Sequence, residues 1–533
     1  MRVPVLIVGA GAGGIATSAL LAKYGVESLV VEKRREIFRY PKARNLSFRS
    51  LEILRALGLG GEVHAVAEGV SDMVVKPSVS STEEHPALDI EAIFDGLAAL
   101  SPEPPIQYCP QSRLEPILLR YLRSRGSRAR YGVELTSFTQ DDDGVRARVR
   151  DLETGNTGDL HADYLVAADG VHSPVRTQLG ISTSGYGALP MYFVFVYFRA
   201  PWRALAPTLR DGVSVQVRNA DVDGIFIAAE DDLGMFLASY LPDRGESAAL
   251  FTRARCRELI LAGVGEPIPV DVLDVTPWQP YEQVADRFDC ARVFLVGDSA
   301  HAMPPLKAGG ANVAIQSADN LAWKLAAVLQ GWADPRLLGT YHSERHPVGR
   351  FSARQSLTGP ALQLMNHDAY QPELRHQEEA SMFSLLAGYQ YRSAAVYGDA
   401  PGSARRDMAL VDRLHGQLGT RVPHAWVSCR GERASTLDLL GPGFTLLSCD
   451  TTGGWTRAAA LLNRSPRTPP VTVRSIDDPE GSWLRATGLM RDGALLVRPD
   501  AFVGWRAEHL PDDPAHELGC ALQAISGQTA SEG

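Results

Sequence analysis

The chain has 533 residues, with 53 lysines and arginines against 62 aspartates and glutamates, a formal net charge of -9 and an apolar fraction of 45%. This is ordinary globular composition; it excludes a disordered, collagenous or disulfide-built chain, and at about 100–200 residues per domain it allows three or four units. The acidic balance argues against nucleic acid as a partner, and the six dispersed cysteines, with no Cys-x-x-Cys pair, read as reduced thiols of a cytoplasmic protein.

Residues 3–8 are a continuous apolar run suited to a buried parallel strand. The glycine-rich turn Gly9-x-Gly11-x-x-Gly14 follows, a helical pattern runs over 15–24 to Gly25, and 28–31 reads as a second strand ending at Glu32, which makes a βαβ unit. Helices are predicted over 49–57 and 113–125, closed by Gly58 and Gly126. After an acidic turn at 141–144, strands are predicted at 145–151 and 164–167. The turn has no further carboxylates at calcium-loop spacing, so no metal site is expected there or elsewhere. From 191 to 241 the pattern is strand-rich, with segments 191–199, 212–218, 224–229 and 235–240 separated by turn residues at 219–221 and 231–232. This reads as a mostly antiparallel sheet, the floor of a substrate site. A buried strand at 292–296 leads into Gly297-Asp298, and a long helix runs from about 312 to 330. Beyond 400, segments 443–448 and 495–499 read as strands of a smaller α/β unit, and the small, polar tail after Cys520 as frayed. The apolar run 3–8 leads into the glycine turn without a cleavage signal, and 189–198 is about half the length of a membrane helix, so neither a leader nor a membrane partner is expected.

The chemistry lies in three motifs. In the first, the glycines let the backbone turn tightly and let a pyrophosphate approach the amides at a helix N-terminus, while Glu32 ends the next strand, where a carboxylate accepts ribose hydroxyls. Taken alone, this motif leaves FAD and NAD equally open. The second is Asp169-Gly170 and the residues to Arg176, directly after the strand 164–167. The third is Gly297-Asp298-Ser299-Ala300-His301, followed by Pro304-Pro305 and the glycine-bearing stretch 307–312. A strand ending in Gly-Asp sets a carboxylate at the carboxyl edge of a sheet, where ligands of open α/β folds bind.

With these motifs in this order, the chain resembles the flavoprotein aromatic hydroxylases, the family of p-hydroxybenzoate hydroxylase, and above all the aromatic-polyketide hydroxylases of antibiotic pathways. The resemblance implies an α/β fold: a Rossmann-like FAD-binding domain, an inserted, mostly antiparallel β-sheet substrate domain, and a C-terminal thioredoxin-like domain. The implied spans are 1–180 and 281–395 for FAD, 181–280 for substrate, and 396–533 for the appendage, whose lack of Cys-x-x-Cys makes it structural. Gly9, Gly11, Gly14, Glu32 and Arg34 are implied to hold the ADP half of FAD. Arg44, within Pro41-Lys42-Ala43-Arg44, and Gln111 match positions at the pyrophosphate or ribityl chain, and Asp298 is implied to accept a ribityl hydroxyl. The backbone of Gly310, Ala311 and Asn312 is implied to face the pyrimidine edge of the flavin, and Asp169 and Gly170 to belong to a segment serving both FAD and NAD(P)H. The helical motif Tyr341-x-x-Glu344-Arg345-x-Pro347 and the C-terminal motif Arg498-Pro499-Asp500-x-x-Val503-x-Trp505-Arg506 also match. Pro304 and Pro305 are implied as catalytic candidates, in a loop whose carbonyl helps to hold the substrate ring and favour its phenolate.

One departure stands out: Leu306-Lys307 replaces the small pair that usually follows the prolines. Either the Lys307 ammonium stabilises negative charge near flavin or substrate, or it points into solvent. Two readings stay open for His301 as well, a proton relay or packing beneath the flavin, and for Trp278 and Tyr281, pocket lining or core. The arginines at 120, 123, 125, 128 and 130 read as a solvated face.

The implied function is an FAD-dependent monooxygenase that hydroxylates a phenolic or polycyclic aromatic natural product, of polyketide origin, through a flavin C4a-hydroperoxide. NADPH or NADH is the transient reductant and dioxygen the oxidant. The implied enzyme is cytoplasmic, a monomer or homodimer, without nucleic acid. The nearest rival is a Baeyer–Villiger monooxygenase. A flavin halogenase is disfavoured because none of the eight tryptophans forms a Trp-x-Trp pair. A redox-silent flavin-binding scaffold and a colourless NAD enzyme are the alternatives of other classes.

Overall fold

The computed structural model describes residues 2–40, 42–70, 73–206, 213–229, 232–305, 307, 309–359, 378–398 and 408–528. Expectations resting on Pro41, Gly212, Asp231 and Leu306 lie outside the described residues.

The first strand, Arg2–Val8, runs parallel to Ser28–Glu32 on one side and to Thr157–Ala167 on the other, and Val293–Leu295 adds in parallel beyond. In the eight-stranded sheet the order is Asp289–Cys290, Val293–Leu295, Thr157–Ala167, Arg2–Val8, Ser28–Glu32, Arg128–Tyr131, and the hairpin Val133–Asp141/Gly144–Asp151 branches from Thr157–Ala167. Covered sheets demand continuous apolar runs, as the sequence showed. The helix Ala12–Lys23 is buried from Gly13 to Ala22 because it packs on helices Gln111–Ser124 and Gly309–Leu329, so its residues are mostly small. Val8 pairs with Val31 and Ala167, and Ala167 with Leu295. The register therefore delivers the glycine turn, Glu32, the Asp169 loop and Gly297-Asp298 to one edge.

A seven-stranded sheet stands apart, in the order Asp271–Trp278, Tyr192–Arg199, Leu233–Tyr240, Asp223–Ala228, Ser214–Arg218, Met73–Lys76, His85–Leu88. It is antiparallel except where Ser214–Arg218 meets Met73–Lys76. The sheet thus recruits two strands from within 1–180 in addition to those expected in 181–280. Strand alternation gives it two faces. Val194, Val196 and Phe198 pack with Phe226, Phe236 and, from helix Arg253–Val264, Cys256 and Ile260; Phe193, Phe195 and Tyr197 point to the other face.

In the C-terminal unit the strand order is Val471–Ser475, Phe444–Ser448, Ala494–Val497, Val503–Ala507. The first pair is parallel and flanks helix Gly454–Leu462; the others are antiparallel, and helix Pro514–Ile525 closes the unit. This βαβ unit followed by a ββα unit is the thioredoxin-like arrangement. Cys449 follows its first strand, and burial pushes the thiol up to about 11, which leaves it protonated and inert. The expectation of fraying after Cys520 is corrected: the helix continues to Ile525 because Leu518, Ala521, Leu522 and Ile525 form a buried stripe.

Buried charges weld this unit to the flavin half. Arg498 donates to Glu344 at 2.6 and 2.9 Å and to Asp500 at 2.5 and 3.0 Å, and Lys324 donates to Glu344 at 2.7 Å. Arg421 reaches Glu52 at 2.9 Å through its Nε. Burial alone would raise the Glu344 carboxyl, but Arg498 and Lys324 hold it well below its ordinary value. Among the described residues no helix is long and apolar enough to cross a membrane, and no cluster of histidine, cysteine and acidic side chains could hold a metal.

Candidate active site

The three glycines of the first turn have different duties. Gly9 has φ +102°, and a Cβ there would lie 2.2 Å from the Ala168 carbonyl oxygen; a Cβ on Gly14 would lie 2.0 Å from the Gly9 oxygen. Both are required by the protein's own packing. A Cβ on Gly11 would meet nothing within 4 Å. Gly11 caps the helix Ala12–Lys23, so the space before it faces first-turn amides that have no partner within the helix. That is a cradle for a diphosphate.

Glu32 sits beside it. Its Oε2 accepts from the Ala10 amide at 2.7 Å, and its Oε1 from the Arg34 amide at 2.8 Å and Arg34 Nε at 3.1 Å. Burial pushes its carboxyl up, but the Arg34 bonds and the Ala10 amide outweigh that, so the group is held below its ordinary value and stays an acceptor.

Lys42 comes close enough to Arg34, Glu32, Glu115 and Asp298 to feel their charges, and the backbone of its loop accepts from the Gln111 amide at Ala43 and from the Cys109 amide at Arg44. Gln111 opens the helix Gln111–Ser124 and donates its side-chain amide to Glu115. Arg44 donates to Ser214 Oγ at 3.4 Å and has no carboxylate partner among the described residues. Asp298 is solvent-accessible although protein surrounds it, as at the floor of a cleft; this crowding raises its carboxyl while Lys42 opposes the rise. No described residue donates a hydrogen bond to it, so its oxygens are free to accept.

Glu115, not singled out by the sequence, is fully buried. Burial pushes its carboxyl from the ordinary 4.5 up to about 7, with Gln111, Arg34 and Lys42 only partly countering. A carboxyl raised on folding contributes instability that grows as pH climbs from the unfolded value to the folded one. Between pH 5 and 8 the apoprotein should therefore lose about 2.5 kcal/mol through this group, and Glu115→Gln should flatten that decline. Urea midpoints across the range check it; an unchanged slope in the variant would refute the assignment.

The second motif is mainly a clasp. Asp169 Oδ1 accepts from Ser173 Oγ at 2.6 Å and Oδ2 from the Val175 amide at 3.1 Å, so both oxygens shape their own loop, while Gly170, at φ +90°, leaves open space. Arg176 donates to the Ser299 carbonyl at 2.9 Å and ties this loop to the third motif. There, Gly310 and Ala311 lie in the first turn of Gly309–Leu329 and present amides. Asn312, in the same turn, also fixes its side chain: Oδ1 accepts from the Ser47 amide at 2.9 Å and Ser50 Oγ at 2.6 Å, and Nδ2 donates to the Asn45 carbonyl at 3.0 Å.

Two expectations need correction. Lys307 supplies no free charge to a flavin or substrate and does not point into solvent: its Nζ donates to Thr358 Oγ1 at 2.7 Å and pairs with Glu379 Oε1 at 2.8 Å. With φ +62° it braces the loop behind Pro304, which is buried, and Pro305, which is exposed. His301 is no proton relay. It is fully buried against Phe288, and burial lowers it to about 3, so it stays neutral.

The seven-stranded sheet provides the opposite wall. Phe193 and Phe195 contact Trp278, and Tyr40, from the loop that carries Lys42 and Arg44, stacks on Tyr197 with ring centroids 4.5 Å apart. Tyr281 packs edge-on to His172 instead. The alternation along 192–199 carried a signal for this wall; Phe38 and Tyr40, in an irregular loop, gave none. An apolar, aromatic cleft with few polar groups is the form of a small-molecule site.

Comparison with known proteins agrees. Residues 2–356 match the family model described as FAD binding domain, and residues 415–529 the one described as aromatic-ring hydroxylase, C-terminal. A tetracenomycin A2 monooxygenase-dioxygenase of Streptomyces glaucescens is 37% identical, covering 99% of this chain and 98% of its own. An aklavinone 12-hydroxylase of Streptomyces purpurascens is 35% identical over 98% of this chain and 99% of its own. The crystal structure of aklavinone-11 hydroxylase with FAD and aklavinone superposes with TM-score 0.88 at 34% identity, covering 99% of each chain. From the glycine cradle to the thioredoxin-like appendage, this chain belongs to the FAD-binding aromatic-ring hydroxylases.

Proposed function

We propose that the protein is a cytoplasmic monooxygenase that uses FAD, NAD(P)H and dioxygen to hydroxylate a phenolic, polycyclic aromatic compound of polyketide origin. The observation that carries this reading is the aromatic face of Phe193, Phe195, Tyr197 and Trp278, on which Tyr40 stacks from the loop whose Lys42 feels the charges of Glu32 and Asp298. The relatives' named activities on tetracenomycin and aklavinone support it. In this reading 1–180 and 281–395 hold FAD, 181–280 with the strands at 73–88 holds substrate, and 396–533 braces the whole. The amides beside Gly11 with Arg34, Lys42 and Arg44 neutralise the diphosphate, Glu32 binds the adenosine ribose, and Asp298 binds the ribityl chain. Gly310 and Ala311 turn their amides to the pyrimidine edge.

Bound FAD supplies the redox and oxygen-activating chemistry. The chain's own work is to orient the substrate ring flat on the aromatic wall and to keep water from the reacting centre. The decisive experiment mixes holoenzyme with NADPH or NADH under nitrogen, with and without a polycyclic phenol, and then admits air. The yellow colour should bleach and return, and the product should carry one added oxygen as a new phenol. A ring-expanded or ring-opened ester would instead establish the Baeyer–Villiger reaction, and flavin that never bleaches would establish a redox-silent scaffold.

A further inference from the structure

The flavin-facing side of the seven-stranded sheet is apolar almost throughout, with Phe193, Phe195, Ile225, Met235, Leu237 and Trp278. Among the described residues two carboxylates interrupt it: Asp223, which Gln216 and Arg218 hold at the end of its strand, and Asp274. Residues directly opposite in an antiparallel pair share a face, and the register sets Thr276 opposite Phe195 and Asp274 opposite Tyr197. Asp274 therefore stands on the aromatic wall, on the edge strand, beside a register shift between Tyr197 and Phe198. Such irregularities re-aim side chains next to active sites.

The Asp274 carboxylate is half-buried. Its Oδ2 accepts the Thr276 hydroxyl at 2.6 Å, while Oδ1 has no donor and no cation pairs with the group among the described residues. Thr276 thus fixes one oxygen and leaves the other turned to whatever lies on the wall. An acceptor-only group in apolar surroundings is costly until a donor reaches it. Arg44 lies within electrostatic reach of the same Tyr197, but it donates to Ser214 Oγ and makes no ion pair with Asp274.

We propose that Asp274 is a specificity-determining residue that accepts a hydrogen bond from a hydroxyl at one edge of the bound polycycle, with Thr276 as its positioning residue. The site then selects neutral, hydroxyl-bearing polycycles and rejects those with a methoxyl or carboxylate at that edge. This rests on the hydroxylase reading above. Asp274 takes no part in holding FAD, so flavin content of the variants stays at wild-type level.

The test uses holoenzyme and three probes: 1,8-dihydroxyanthraquinone, its dimethyl ether and anthraquinone-2-carboxylate. Dissociation constants come from perturbation of the flavin absorbance. Wild type should bind the dihydroxy probe at least about tenfold more tightly than the ether, because the ether leaves Asp274 unpaired. Asp274→Leu should abolish that preference, Thr276→Val should weaken it, and Asp274→Asn should gain affinity for the carboxylate probe. If Asp274→Leu keeps the wild-type preference, or wild type shows none, the proposal is overturned while the hydroxylase reading stands. If wild type binds none of the three while holding FAD and is not reduced by NAD(P)H, both fall.

Discussion

Gly11→Val should give a folded protein that no longer retains FAD. The backbone at Gly11 is extended, with φ -80°, which any residue adopts, and the new side chain would enter space that the protein leaves open. The thermal midpoint of the apoprotein should therefore stay near wild type. The same side chain would fill the ground before the helix N-terminus and push a diphosphate off its amides. Charge-assisted hydrogen bonds contribute about 1.5–3 kcal/mol each, so losing two weakens FAD at least about a hundredfold. Fluorescence titration of apoprotein with FAD measures the loss, and circular dichroism the fold. Gly14→Val should fail differently, because its Cβ would collide with the Gly9 oxygen at 2.0 Å before any ligand arrives. A Gly11→Val protein that purifies yellow would remove the diphosphate from this turn.

Arg498→Leu should destabilise the protein by about 3–5 kcal/mol, the usual cost of leaving buried charge unpaired. Arg498 serves both Glu344 and Asp500, and all three side chains are fully buried. Without it Glu344 keeps Lys324 and Asn320, whereas Asp500 keeps Asn320. The unfolding midpoint, followed by flavin release and by tryptophan fluorescence, should fall in both signals. A shift worth less than about 1 kcal/mol would show that the network contributes no more than an exposed pair.

What could be read from the sequence followed the range of each interaction. The buried run 3–8, the glycine turn and Glu32 are local patterns, and the strands ending before Asp169 and Asp298 announced themselves by apolar runs meeting Gly and Asp. The strands Met73–Lys76 and His85–Leu88 are short; the first joins the sheet through Ser214–Arg218, far along the chain, and the second pairs only with the first. Lys307 illustrates the same limit: its neighbours suggest an exposed loop, but Thr358 and Glu379 capture it. His301 looked like chemistry because it follows Gly297-Asp298, yet the packing of Phe288 and Gly349 around it decides its charge. Glu115 lies four residues after Gln111, and only burial reveals its altered acidity. In the C-terminal helix, Leu518, Ala521, Leu522 and Ile525 repeat with helical spacing through what reads as a loose tail.

The weld through Arg498 also bears on ancestry. Helix Gly309–Leu329 offers Gly310 at one end to the proposed flavin site and, further along, commits Asn320 and Lys324 to Glu344 and its neighbours. A gene that lost the appendage would expose a half-satisfied ionic knot in what remained, so deletion and repair would have to arrive together. Shorter cousins should accordingly carry apolar or self-sufficient residues where this chain has Lys324 and Glu344, and the two modules should travel through genomes as one inherited piece.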